Sequence, residues 1–381
     1  MNFDLSEDQQ RLRETVKAFA STLNAGMIER DAAAEFSRDA WRRCADFGIP
    51  GLPIPEVYGG TGQDLLTTII AMEAMGYGCR DNGLVFSLNA QMWAFEMPIL
   101  HFGSEDQKRA YLPRVCRGEL IGAHAVSEPD FGSDAMSLTS RYRRDGDHYV
   151  LDGSKTFVTN GPVADVVLAF ATLDPMYRAA GVTAFLVERG TPGMTISKPI
   201  PKMGLRTSPM GEVTFDDCRV PVANRLGGEG AGFAVFNSAM EWERACIFAS
   251  HLGSMQHTYE TCVAYAKTRK QFGEPIARFA PVADKIVEMR VAIELGRLLL
   301  YKIGAVKDAG GSAVMESAMA KLFISEAHVR QALDAIQIHG GYGYSTEYEV
   351  ERELRDAVPG RIYSGTSEIQ RRVIARLLGL L

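Results

Sequence analysis

Polar residues gather at a few points of this 381-residue sequence, and their types narrow the chemistry open to it. The string Ser127-Glu-Pro-Asp-Phe-Gly-Ser-Asp134 joins a Ser-Glu-Pro turn to Gly-Ser-Asp. It offers hydroxyls and free backbone N–H groups to a polar planar ring, although an ordinary turn or helix cap uses the same residues. Met240-Glu-Trp-Glu-Arg-Ala245 sets two carboxylates two positions apart, about 200° around a helix, so Glu241 and Glu243 cannot share a face. A Glu-x-Glu-Arg string ordinarily marks a solvated helix face. Arg269, followed by Gln271 and Phe272, falls at the end of a long helical pattern, where the helix dipole favours a solvated arginine. Common nucleotide and hydrolase motifs fail in context. Gly228-Glu-Gly-Ala-Gly232 lacks the GxGxxG spacing and a βαβ unit, and no Walker lysine loop, G-x-S-x-G elbow or HExxH helix is present.

The elements that must hold these residues follow an α, β, α order. Ser6 and Gln9 form a capping box before Leu12, Val16 and Phe19 recur at helical spacing. Further helices are expected at about 37–47, 64–75 and 82–102. From about residue 115 the period turns to alternation: 149–151, 156–158, 166–170, 182–187 and 212–215 read as short strands, punctuated by Asp145-Gly, Asp152-Gly and Pro192-Gly turns. Long helices return at about 233–267, 281–309 and 312–339, and a last one from Thr366 has Ser367 and Gln370 as its capping signal. The expected units are residues 1–114, 115–227 and 228–381, packed as one body.

Composition excludes several classes. With 46% apolar and 23% charged residues the chain is globular, and 41 basic against 47 acidic residues leave a net charge of −6, which argues against nucleic acid or an anionic membrane as main partner. The start, MNFDLSEDQQ, reads as the first helix and not as a targeting segment. The most apolar helical stretch, near Leu298 to Tyr301, is cut by Lys302 far short of the roughly 20 residues of a membrane span. A cytoplasmic protein is expected. Six scattered cysteines without CxxC pairs read as thiols in a reducing compartment, with no metal.

Four segments, in order across this layout, resemble the acyl-CoA dehydrogenase family: Ala125 to Asp134, Lys155-Thr-Phe-Val-Thr-Asn-Gly161, Arg269-Lys-Gln-Phe-Gly273, and Gln337-Ile-His-Gly-Gly-Tyr-Gly343 with Tyr363-Ser-Gly-Thr-Ser-Glu-Ile-Gln370. The resemblance implies an α+β multidomain fold: an N-terminal α-helical domain, a middle antiparallel β-barrel and a C-terminal four-helix-bundle-like domain. It also implies FAD and acyl-thioester dehydrogenation. It assigns Ser127 to the flavin ring and Ser133 to flavin phosphate or the substrate's pantetheine arm. Phe157, where relatives often carry Trp, would stack on the ring while Thr159 donates to its edge; a core phenylalanine is the alternative. Arg269, with Gln271 and Phe272, would reach the FAD pyrophosphate of a neighbouring subunit, and Gln337, Gly340 and Gly341 the adenosine half across that interface. At least a dimer, usually a dimer of dimers, is thereby implied. Thr366 and Glu368 would turn helix N–H groups towards the FAD.

The chain departs from the commonest family pattern at the catalytic base. Most relatives have glutamate where Ser364 stands, and a serine hydroxyl cannot take an α-proton. A minority, including isovaleryl- and long-chain-type enzymes and dehydrogenases of carrier-bound prolyl groups, place it on the helix after the β-domain, before an arginine. Glu243 and Arg244 match that location, so the resemblance makes Glu243 the base, with a pKa raised by burial. Ser364 would keep the backbone N–H that holds the thioester carbonyl, and loss of its side chain is expected to do little. Arg244 would orient the thioester arm. Met92 and Trp93 would close the acyl end, or be plain core.

The substrate expected is a short, branched or cyclic acyl thioester on CoA or an acyl carrier protein, a carrier-bound prolyl group among them. The run Arg141-Tyr-Arg-Arg144 could meet either anionic carrier, or be a solvated hairpin face. An electron-transfer flavoprotein or oxygen would reoxidise the flavin. A flavin-binding scaffold without turnover is the competing reading from another class.

Overall fold

Polar caps open five of the seven helices of the first section. The computed structural model describes residues 4–381. In it, Ser6, Ser37, Asp64, Asp81 and Ser104 each accept a hydrogen bond from the backbone N–H three residues on, satisfying one of the groups a helix start leaves unpaired. The helices are α1 (Glu7–Ser21), α2 (Met27–Ala33), α3 (Arg38–Phe47), α4 (Leu65–Gly78), α5 (Asn82–Gln91), α6 (Met97–Phe102) and α7 (Glu105–Cys116). The single helix expected over 82–102 is broken by a π-helical turn, Met92–Glu96. Its cause is tertiary: the Gln91 amide donates to the buried Glu96 carboxylate (3.1 Å) and accepts from the Gly122 N–H (2.8 Å), pinning the turn to the sheet.

The middle section is one eight-stranded sheet of β1 (Gly122–Ala125), β2 (Arg141–Asp145), β3 (His148–Thr159), β4 (Val166–Thr172), β5 (Val182–Glu188), β6 (Met194–Ile196), β7 (Met210–Pro221) and β8 (Arg225–Leu226), ordered β6-β7-β3-β2-β4-β5-β8 with β1 beside β4. The five ladders β2–β3, β3–β7, β4–β5, β5–β8 and β6–β7 are antiparallel, as expected, but β1 pairs parallel to β4, and β2 meets β4 in parallel at Arg141 and Thr172. β1 enters from α7 without a hairpin, so nothing forces it to run antiparallel. The expected runs 149–151 and 156–158 are a single strand. Asp152-Gly is a bulge within it, where a Cβ on Gly153 would lie 2.4 Å from Ser140 Oγ.

The last section holds α8 (Gly232–Thr268), a short hairpin of β9 (Lys270–Gln271) and β10 (Glu274–Pro275), α9 (Ala280–Asp308), α10 (Val314–His339), α11 (Gly341–Tyr344), α12 (Val350–Ala357) and α13 (Ser367–Leu377). Thr366, not Ser367, caps α13, its hydroxyl accepting from Ile369 N. Ser367 instead donates to Glu326 (2.6 Å), and Gln370 folds back onto the preceding loop. One core joins the two helical sections, with Val16, Trp41, Ile69 and Met72 packed in the same cluster as Phe248, Leu252, Ile303 and Ile324. Where α4 crosses α8 the backbones touch: a Cβ on Gly76 would sit 2.0 Å from Ser250 O, and one on Gly253 2.0 Å from Glu73 O. No helix among the described residues is long and apolar enough to cross a membrane.

A buried ion pair ties the Ser127 loop to β3. Lys155 Nζ lies 2.7 Å from Glu128 Oε1, and the same carboxylate accepts from the N–H groups of Thr139 (2.6 Å) and Ser140 (2.9 Å). Burial alone would push Glu128 up, but Lys155 and these donors hold it down to about 2. Glu128→Ala strands the Lys155 ammonium in the interior and is expected to cost about 3–5 kcal/mol of stability. A fall in the denaturant midpoint checks this, and an unchanged midpoint contradicts it.

Candidate active site

Glu243 stands three turns into α8 with 9% of its surface exposed. Opposite it, the loop before α13 presents Ser364, whose hydroxyl donates to Glu243 Oε2 at 3.0 Å. Positions 243 and 364, the two at which the resemblance places a base, therefore converge on one point. Ser364 has φ +53°, a left-handed conformation rare for a residue with a Cβ. Its carbonyl accepts from Arg244 Nε and Gln370 Nε2, both at 3.1 Å, and its own N–H donates to no group among the described residues. Burial pushes the Glu243 carboxyl up to about 7, opposed by the Ser364 hydroxyl and the Arg244 charge. Glu241 points elsewhere, paired with Lys307 at 3.0 Å, as the helical angle requires.

Tyr363 fixes the other side of the loop. Its ring packs on Phe86 (4.7 Å) and Phe248 (6.0 Å), and its hydroxyl lies 2.5 Å from His251 Nε2, whose Nδ1 is 2.9 Å from His328 Nδ1. Burial holds both imidazoles below their usual pKa, so they are neutral polar links. Sequence reasoning missed this group: His251 and His328 are 77 residues apart, and only the packing of α8 against α10 brings them together.

The expected cofactor residues fall into two assemblies. Phe157 is not core: it is 62% exposed, has φ +56°, and sits where the β3–β7 register shifts between Lys155 and Val158. Ser127 and Thr159 are half-buried nearby, with the Ser127 carbonyl accepting from the Thr156 N–H (2.9 Å). An aromatic face held out of the sheet by a bulge, flanked by hydroxyls, fits a stacked planar ring. Ser133 is exposed in the same loop. Thr366 caps α13, and Glu368 is exposed in that helix's first turn.

Arg269, Gln271, Gly340 and Gly341 instead line a separate recess of about 670 Å³ with Tyr265 and Tyr342. Phe272 protrudes from the β9–β10 turn with 95% of its surface exposed, and Gln337 is exposed outside the recess. Arg269 follows Glu243 by 26 residues along α8, about 39 Å of helix.

Three further expectations can be set against the contacts. Met92 and Trp93 are wholly buried in the core, the Trp93 indole donating to Asn89 Oδ1 (2.8 Å) and stacking on half-buried Trp242 (centroids 6.4 Å apart), so they present no surface to a ligand. Arg244 donates its Nε to the Ser364 carbonyl at 3.1 Å and so braces the loop. Among the exposed arginines of the Arg141–Arg144 run, Arg143 pairs with Asp217 (3.0 Å) and Arg144 lies 3.8 Å from Glu229.

Comparison with known proteins agrees with the α, β, α order of the chain. The family models described as the acyl-CoA dehydrogenase N-terminal, middle and C-terminal domains match residues 6–119, 123–218 and 230–379. The chain is 44% identical over 346 residues to an L-prolyl-[peptidyl-carrier protein] dehydrogenase of Pseudomonas fluorescens, covering 91% of each. Among solved structures it is similar to the prolyl acyl carrier protein oxidase AnaB (TM-score 0.98, 49% identity, covering 99% of this chain and 100% of that one). It is equally similar in shape to PigA solved with FAD and proline (TM-score 0.98, 39% identity, covering 100% of both). With three domain models matched in order over nearly its whole length, the chain belongs to the acyl-CoA dehydrogenase family.

Proposed function

We propose that this chain is a cytoplasmic FAD-dependent dehydrogenase acting on a prolyl group held as a thioester on a carrier protein. The observation that carries the reading is a buried carboxylate, Glu243, set beside the unspent backbone N–H of Ser364. The relatives at 44% and 49% identity, named for prolyl groups on carrier proteins, support this substrate over a straight acyl-CoA.

The roles follow from what each group can do. Glu243 takes the α-proton of the thioester, and its pKa near 7 suits a base working at neutral pH. The Ser364 N–H donates to the thioester carbonyl and stabilises the negative charge that grows on its oxygen as the proton leaves. Phe157 would support one face of the flavin ring system, Ser127 and Thr159 would donate to its edge, and Thr366 and Glu368, at the start of α13, would hold the rest of the dinucleotide. FAD, when bound, supplies the acceptor for the substrate hydride. An electron-transfer flavoprotein or oxygen removes the electrons afterwards.

The recess around Arg269 lies about 39 Å along α8 from Glu243, a separation in keeping with the role the family resemblance implies for it, holding the pyrophosphate and adenosine of a neighbouring subunit. On that reading the working unit is at least a dimer. Val287, Val291, Leu295 and Leu298 form an exposed apolar stripe along α9, at spacings of four, four and three, and support a dimer of dimers.

Anaerobic mixing of the flavin-loaded protein with prolyl-carrier protein and a panel of acyl-CoAs is expected to bleach the flavin with the prolyl carrier; bleaching with acyl-CoAs alone, or with nothing, contradicts the substrate. Glu243→Gln should slow bleaching by about 10³-fold or more while flavin content is kept. The same variant changes stability with a defined sign. A carboxyl raised from 4.5 to about 7 on folding makes the folded state the better proton binder, so wild-type stability falls as pH rises between those values, by about 3 kcal/mol. Glu243→Gln should lack that fall. Thermal melts of both proteins between pH 4.5 and 8 check it, and parallel curves would count against the raised pKa.

A further inference from the structure

We propose that the hydroxyl of Ser364 is a positioning residue for the catalytic carboxylate: it fixes one oxygen of Glu243 and leaves the other to take the proton. The inference rests on Glu243 being the base. It assigns the serine side chain a role distinct from that of its backbone N–H, where the sequence alone suggested none.

The contact is mutually exclusive. Ser364 Oγ makes no other hydrogen bond among the described residues, and it is the sole hydrogen-bond donor to the Glu243 carboxylate, through Oε2 at 3.0 Å; Oε1 accepts none. A buried carboxylate with a single donor depends on that donor both for its orientation and for the stability of its charged form. No other hydrogen bond holds the Glu243 carboxylate among the described residues, because Arg244 directs its Nε to the Ser364 carbonyl.

The loop does not need the hydroxyl for its own conformation. Tyr363 is held by His251 and by the rings of Phe86 and Phe248, the Ser364 carbonyl by Arg244 and Gln370, and Thr366 by its cap of α13. Glycine would occupy φ +53° without steric cost, yet a residue with a side chain stands there, and its one polar atom is spent on Glu243. A purely architectural position would favour glycine.

The charged surroundings make the hydroxyl's effect readable. From α8, Arg244 lowers the Glu243 pKa, while Glu241 is engaged by Lys307. From the loop, Tyr363 is neutral, its own pKa raised by burial. From α10, Lys321 is wholly buried with no hydrogen-bond partner and interacts with Arg244, Glu326 and Glu368, without a direct effect on Glu243. The groups that oppose the upward push of burial on Glu243 are therefore the Ser364 hydroxyl and Arg244.

The test compares Ser364→Ala and Ser364→Gly with wild type and Glu243→Gln, all as flavin-loaded protein. Alanine keeps the strain at φ +53° and glycine relieves it, but both lack the hydroxyl, so a purely structural role separates the two variants and a positioning role does not. Both should move the acid limb of the kcat/KM profile for prolyl-carrier protein up by about one pH unit and lower kcat at pH 7 by about tenfold, with KM nearly unchanged. Infrared difference spectra supply a readout independent of turnover: the protonated-carboxyl band abolished by Glu243→Gln should titrate at higher pH in both serine variants. Wild-type profiles and band midpoints in both variants overturn the proposal, as does a shift confined to alanine. If Glu243→Gln itself retains activity, the assignment of the base falls first; if it is inactive while both serine variants match wild type, only the role of the hydroxyl fails.

Discussion

The site depends on holding one carboxylate out of water without an ion pair that would neutralise it. Glu243 is buried on α8 and receives a single hydrogen bond, from a serine on a loop more than a hundred residues away in the chain. A full salt bridge would pin its pKa low and cost it basicity; no donor at all would leave it protonated at neutral pH. The position between these limits exists because Arg244, the neighbouring cation, is turned onto the loop backbone. The basicity of the site is thus set chiefly by burial, with the Ser364 hydroxyl and then the Arg244 charge opposing it.

The rest of the fold keeps that geometry fixed. α8 is 37 residues long and joins several parts of the molecule: α4 through glycine crossings that allow backbone contact, α10 through the His251–His328 contact, and the sheet where its first turn meets β5. The loop carrying Ser364 is clamped from both sides, by Tyr363 and its aromatic neighbours and by Arg244 with Gln370. The Ser127 loop is anchored separately, by the buried Glu128–Lys155 pair, to the strand whose bulge exposes Phe157. Each chemical group therefore sits on a segment secured by its own contacts.

Much of this was legible in the sequence, and the failures are instructive. Helix boundaries agreed to within a few residues where a serine or aspartate cap marked them, as at Ser37 and Asp64, because capping is a local interaction. The π turn after Gln91, the parallel entry of β1 and the bulge at Gly153 were not legible, since each is imposed by a contact with a distant element. At the site, the helical angle between Glu241 and Glu243 separated a half-buried ion pair with Lys307 from a buried carboxylate. What periodicity could not show was direction: the Arg244 Nε meets the loop backbone, Met92 and Trp93 face the core, and the Ser364 hydroxyl faces Glu243. Side-chain direction at a chain crossing depends on residues from both chain segments, and no single stretch of sequence contains them.

The central claim is that Glu243 removes the α-proton, and single-turnover flavin reduction with prolyl-carrier protein bearing hydrogen or deuterium at the α-carbon tests it most directly. The account predicts a primary isotope effect on a rate that rises with pH through about 7 in the wild-type protein, and loss of that rise in Glu243→Gln. A rate with no isotope effect and the same pH dependence in both proteins would contradict it.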